Sequence, residues 1–266
     1  MNTNNKELLD ILNFHFVCCS WMTKDFTGSA HDGIYFEAEH ISDPFFTFEF
    51  EPNELTQEVI SIYSDRMSKI GRPPSFLRIS TEEDINIANK LNLELRDSTL
   101  WIKADLNNRT KTKSCSAKDI EIEIQKLPYS EEFIKTFLEC YTSNEDDIGY
   151  EYNDDFGDGF RNARPVDTID ESTFILRYKG KTAGIATIDN DIKNKVSFLY
   201  NVGTTREFRR LGLSRFLIEL VIEHAINDGI NFMYLYTEED SPMQTYYEDL
   251  GFKIVGTTQL FVQPKK

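Results

Sequence analysis

The segment Arg209-Arg210-Leu211-Gly212-Leu213-Ser214, followed by Arg215, links an apolar run ending at Val202 to a run with helical spacing that starts at Gly212. A strand-to-helix turn presents the unpaired N–H groups of a helix's first turn, which favour an anion and above all a phosphate. Glycine at position 212 lets a diphosphate approach the backbone, because no Cβ stands in its way. Arg209, Arg210 and Arg215 gather positive charge in a chain of 29 basic and 45 acidic residues with a formal charge of −16. That local reversal of sign marks a binding turn rather than a device for solubility. The turn has neither the Lys-Ser/Thr ending of a triphosphate-cradling loop nor three glycines in dinucleotide spacing, which disfavours a nucleoside triphosphatase and a dehydrogenase.

The same charge balance repels nucleic acid and anionic membranes and favours cationic partners, although an acidic surface also simply keeps a protein soluble. With 40% hydrophobic and 13% aromatic residues the chain reads as folded, and its 266 residues suit two domains. The cysteines, two of them adjacent at Cys18-Cys19, form neither a disulfide framework nor a metal-ligand spacing. His15, His31, His40 and His224 are scattered, so no metal is expected. The opening residues lack a signal-peptide pattern and no apolar run reaches membrane-spanning length, so a cytoplasmic protein is expected.

The elements that must hold the turn follow from periodicity. Asn107–Ser114 is a polar run without apolar residues and reads as a linker over 108–116, between domains at 1–107 and 117–266. Asp119–Gln125 alternates as a strand, and Ser130-Glu131-Glu132 opens an amphipathic helix through Tyr141. Phe174–Tyr178, Lys179-Gly180-Lys181 and Thr182–Ile188 read as a hairpin, and Val196–Val202 as a third strand. A helix over Gly212–Asn227 carries Leu213, Phe216, Leu217, Leu220, Val221 and Ala225 on one face and stops at Gly229. Asn231–Tyr236 is a strand, Ser241–Leu250 a short helix, and Phe252–Val262 two further strands. The fold class is α+β (mixed α/β), a central mixed, mostly antiparallel sheet flanked by helices.

With these elements in place, Arg209–Ser214 resembles the hallmark of the GNAT acetyltransferases: Gln or Arg, two residues, Gly, one residue, then Gly or Ala. The preceding Val202-Gly203-Thr204-Thr205-Arg206-Glu207-Phe208 and the later Tyr246-Tyr247-Glu248-Asp249-Leu250-Gly251-Phe252 are similar to the family's segments at those places. Ser214 stands where Gly or Ala is usual, Arg206 where proline is common, and Asp240 where an asparagine often lies near the coenzyme. The resemblance implies acetyl-CoA as cosubstrate. Its pantetheine arm would pair at Val202, Gly203 and Thr204, with the pyrophosphate held by the amides of Arg210, Leu211, Gly212, Leu213, Ser214 and Arg215. It further implies the Val202 N–H as donor to the thioester oxygen and Tyr247 as general acid to the leaving thiolate. Tyr246 reads better as packing. No carboxylate lies in Val196–Val202, which leaves Glu238, Asp240 or a water chain to accept the amine's proton.

Thr-Glu-Glu-Asp recurs at Thr81–Asp84 and Thr237–Asp240 between a strand and a short helix, so the N-terminal half reads as a degenerate copy of the same fold. Between Phe50 and a helix starting near Glu54 it has no glycine-rich turn. Either it shapes the acceptor cleft or it forms a homodimer interface. The acidic stretch from Asn144, with Glu145, Asp146, Asp147, Glu151, Asp154, Asp155 and Asp158, suits a cationic amine or a solvated loop, and Gly149, Gly157 and Gly159 read as a flexible cover. The expected activity is transfer of an acetyl group from acetyl-CoA to a primary amine of a small molecule or peptide, by direct attack of that amine on the thioester. A non-catalytic acyl-CoA-binding sensor is the alternative.

Overall fold

The computed structural model describes residues 3–50, 56–79, 82–107, 109, 118–141 and 155–263. In chain order they form α1 (Thr3–Cys18), β1 (Thr23–Ser29), β2 (Gly33–Ala38), β3 (Thr47–Phe50), α2 (Gln57–Lys69), β4 (Ser75–Ile79), α3 (Glu82–Lys90) and β5 (Glu94–Asp105). There follow β6 (Ile120–Gln125), α4 (Glu131–Tyr141), α5 (Asp155–Arg161), β7 (Asp170–Tyr178), β8 (Lys181–Asp191) and β9 (Val196–Thr204). The chain closes with α6 (Leu213–Asn227), β10 (Phe232–Glu238), α7 (Pro242–Asp249) and β11 (Lys253–Val262). These elements make the mixed α/β fold expected from the sequence. They gather into two compact units, Met1–Lys103 with Tyr236–Lys266, and Ala104–Leu235.

In the first unit the strand order is β1-β2-β3-β4-β11-β5. β11 lies antiparallel to both neighbours, with Leu260 opposite Leu77 on β4 and Thr257 opposite Leu100 on β5. Trp101 Nε1 donates to Thr258 Oγ1 across that pairing at 2.8 Å. Phe76 and Phe261 meet Ile60, Ala88 and Leu93 in the core beneath it. Phe252–Val262, expected to be two strands, is one strand from Lys253. The register shift between Ile254 and Gly256 absorbs an irregularity that reads as a break in sequence. Gly256 there meets Leu8 of α1, where a Cβ would stand 2.9 Å from Cδ2. The helix expected near Glu54 starts at Gln57, because the Thr56 hydroxyl caps it by accepting from the Val59 N–H; residues 51–55 lie outside the described residues.

In the second unit β6, β7, β8 and β9 form an antiparallel meander, and β10 joins β9 in parallel. Lys179 and Gly180 both take positive φ, 53° and 75°, the two-residue turn that matches strand twist and sets the β7–β8 register. Alternation along β7 sorts its side chains: Phe174 packs edge-on to His224 of α6, while Arg177 on the opposite face bridges to Glu132 of α4. The α4 face also holds Tyr129, Phe133, Phe137 and Phe160 in mutual ring contact. Gly157 sits inside α5 facing Ile134 and Leu138, and Gly157 and Gly159 are buried helix residues rather than part of a flexible cover. Gly149 and the acidic residues 144–154 lie outside the described residues. On α6 the buried stripe is Leu213, Leu217, Ile218, Val221, Ile222 and Ala225; Ile218 and Ile222 replace the expected Phe216 and Leu220, which are half-buried.

Candidate active site

The end of β9 departs from regular pairing. Ile185 lies opposite Gly203 and Thr187 opposite Tyr200, so Asn201 and Val202 together oppose the single residue Ala186. This is a β-bulge, and Asn201 takes φ 52° to make it. Its amide is held by a bond from Nδ2 to Thr187 Oγ1 at 3.3 Å. Registered pairs with β10 run from Val196–Phe232 to Phe198–Tyr234, whereas pairing with β8 continues to Thr204. The β10-facing edge of Asn201–Thr204 is therefore the place where an extended ligand can add as a strand.

Several contacts fix this edge. The Tyr141 hydroxyl donates to the Val202 carbonyl at 2.8 Å. Gly203 lies against α4 so closely that a Cβ would stand 2.8 Å from both Cβ and Sγ of Cys140. Arg209 donates through Nε to the Thr204 carbonyl and through Nη2 to the Cys140 carbonyl, each at 3.2 Å. Arg209 therefore braces the turn from inside.

After Phe208 the chain takes positive φ at Arg210 (63°) and at Gly212 (76°), and α6 begins at Leu213. Gly212 is the N-cap and supplies no capping side chain. Among the described residues no heavy atom beyond its chain neighbours lies within 4 Å of the place a Cβ would take, so the space before the turn is open. Leu213 is buried and can offer only its backbone, while Arg210, Leu211 and Arg215 are exposed. Arg215 also pairs with Glu219 at 3.3 Å. Arg109 adds a cation that the sequence left inside a linker: its guanidinium feels both Glu219 and Arg215, and burial lowers its pKa. A helix start without a side-chain cap, two left-handed residues and surrounding arginines suit a diphosphate.

The remaining expected site residues belong to the first unit. Tyr247 on α7 is buried, edge-on to Tyr246 and Phe252, and burial raises its pKa, which keeps the hydroxyl protonated. Glu238 ends β10 and is exposed, and its carbonyl accepts from the Ser241 hydroxyl that caps α7. Asp240 takes φ 56° and donates its N–H to Gln244 Oε1 at 3.1 Å. Cys140, beside the β9 edge, is driven up to about 12 by burial, with Glu139 adding and Arg209 opposing, and so stays a thiol. Among the described residues no group of three His, Cys, Asp or Glu side chains could hold a metal ion, and no helix is long and apolar enough to cross a membrane.

The mixed sheet covered by helices is a fold shared with GCN5-related N-acetyltransferases of known structure. Residues 130–252 match the sequence model of the acetyltransferase (GNAT) family. Among solved structures the fold is similar to a GCN5-related N-acetyltransferase from Kribbella flavida, with a TM-score of 0.65, 11% identity, and 100% of this chain and 96% of that one covered. It is similar to a functionally unknown conserved protein from Staphylococcus epidermidis, with a TM-score of 0.63, 10% identity and coverage of 91% and 94%. A tandem GNAT protein from the clavulanic acid biosynthesis pathway is a third, with a TM-score of 0.57, 12% identity and coverage of 79% and 70%. No curated protein is significantly similar in sequence.

Proposed function

We propose that the protein is an acetyl-CoA-dependent N-acetyltransferase that acts on a primary amine of a small molecule or peptide. The reading rests on one observation: the bulged β9 edge at Val202–Thr204 leads through the turn at 205–212 into the uncapped, arginine-flanked start of α6. The coenzyme supplies an activated acetyl thioester. Val202–Thr204 offer backbone groups to an extended pantetheine arm, and the Val202 N–H is the donor aimed at oxygen that gains charge on attack. The amides from Arg210 to Arg215 hold the pyrophosphate, with Arg109 as an additional cation. Tyr247 keeps its proton and serves as the acid to sulfur. Direct attack by the amine is favoured over an acyl-enzyme on Cys140, because that thiol does not ionise near neutrality.

Thiol release from acetyl-CoA, measured across a panel of primary amines, tests the reading, with coenzyme-induced thermal stabilisation recorded in parallel. Turnover with at least one amine is expected, and Tyr247→Phe should lose turnover while still being stabilised by the coenzyme. Stabilisation without release from any amine would instead establish a non-catalytic acyl-CoA sensor. No stabilisation at all would remove the coenzyme from the proposal.

A further inference from the structure

The α4-facing side of the second unit's sheet carries a buried polar group that the site described above does not use. Cross-strand register places Glu171 of β7 opposite Asp189 of β8, and Thr187 of β8 opposite Tyr200 of β9, all on one face. The Tyr200 hydroxyl lies 3.3 Å from Glu171 Oε2 and 3.1 Å from Asp189 Oδ1. Tyr129, just before α4, brings its hydroxyl to 3.3 Å from that of Tyr200. Asp189 is 1% exposed. Among the described residues Glu171 Oε1 is buried without a hydrogen-bond partner, a costly state for a carboxylate oxygen unless a donor is meant to reach the cluster. Tyr200 immediately precedes the bulge, and Asn201 ties the bulge to Thr187 of the same patch. The cluster therefore ends where the acyl group would lie under the function proposed above, on which this inference rests.

We infer that Glu171, reached through the Tyr200 hydroxyl, takes the proton that the acceptor's ammonium group must shed before it can attack. The ammonium passes one proton to the Tyr200 oxygen as that hydroxyl passes its own to the Glu171 carboxylate, which becomes a carboxylic acid. The freed nitrogen lone pair then forms the C–N bond to the acyl carbon as the C–S bond breaks. The nitrogen's second proton ends on sulfur, and Glu171 returns its proton to solvent. Each group is in the required state. Burial pushes the Glu171 carboxyl up to about 7, against the Tyr129 and Tyr200 hydroxyls and Lys126, so it exchanges a proton near neutrality. Burial and the neighbouring carboxylates raise Tyr129 and Tyr200, which therefore stay protonated and can relay. The charged neighbours are Asp189, Lys126 and Asp170; Lys126 bonds Asp170 and, at 2.9 Å, Ser172 Oγ. The strand Val196–Val202 holds no carboxylate; the proton's acceptor stands two strands away, on β7.

The experiment compares the pH profile of kcat/KM for wild type, Glu171→Gln, Glu171→Asp and Tyr200→Phe, with an alkylamine that wild type acetylates and with a hydrazide, which is neutral at pH 7. Glu171→Gln is expected to lose about 100-fold with the alkylamine and its acidic limb near pH 7, but less than about 3-fold with the hydrazide. Glu171→Asp should keep the limb, Tyr200→Phe should behave as Glu171→Gln, and all three should still be stabilised by coenzyme A. An unaltered profile in a folded, coenzyme-binding Glu171→Gln or Tyr200→Phe overturns the inference and leaves the acetyltransferase reading standing. A wild type that releases thiol with no amine overturns both.

Discussion

The guanidinium of Arg209 donates to the carbonyl of Thr204 five residues earlier at 3.2 Å, closing the β9-to-α6 turn on itself, and a second donor binds the Cys140 carbonyl. The first arginine of the motif thus works on the protein's own backbone. Arg209→Ala is expected to cost about 1.5–3 kcal/mol, the range for bonds to a charged donor, and to weaken coenzyme A binding with it. Arg210 is exposed, so Arg210→Ala should leave stability within about 0.5 kcal/mol while weakening coenzyme A binding and flattening its salt dependence. Thermal melts and calorimetric titrations of the two variants decide this; equal stability loss in both would refute the division of labour.

Gly203 and Cys140 are packed without room for one more carbon. An alanine at 203 would place its Cβ 2.8 Å from Cys140 Cβ and Sγ, so β9 or α4 must shift. Gly203→Ala should cost about 1–3 kcal/mol in urea unfolding. Cys140→Gly removes both clashing atoms, and the pair in a double-mutant cycle should show coupling above about 0.5 kcal/mol. Strict additivity would mean that the strand end moves freely away from α4.

Stability should carry the mark of Glu171. Its carboxyl rises from an ordinary 4.5 to about 7 in the folded state, so folding favours the protonated form. That contribution is complete below about pH 4.5 and is lost as the pH rises through about 7. Glu132 acts oppositely: Arg177 holds it below its ordinary value, and its contribution vanishes in acid. The difference in Tm between Glu171→Gln and wild type should therefore grow from pH 5 to 7 in favour of the variant and level off above about 8. A difference that does not change with pH would show Glu171 to be ordinary.

Local signals announced much of this fold. Ser130 and Ser241 cap the helices they precede, and Lys179-Gly180 makes the hairpin turn at the expected place. The bulge at Asn201 could not be read, since two residues facing one is a property of the pair of strands. Glu171 and Asp189 lie just outside the expected strands Phe174–Tyr178 and Thr182–Ile188; β7 and β8 run further and pair them, and burial of the cluster with Tyr129 makes them chemical. Arg109 sits in a polar run whose composition reads as linker, and only its approach to Glu219 and Arg215 changes that reading. Nor does periodicity name a strand's neighbours, which is why the packing of β11 beside β4 was invisible.

The seating of β11 between β4 and β5 sets an order of events during synthesis. The first unit's sheet cannot close until residues 253–262 have left the ribosome, whereas Ala104–Leu235 is continuous in the chain and has all its strands sooner. The region translated first is completed last, and a premature stop anywhere before β11 leaves β4 and β5 without the strand that lies between them.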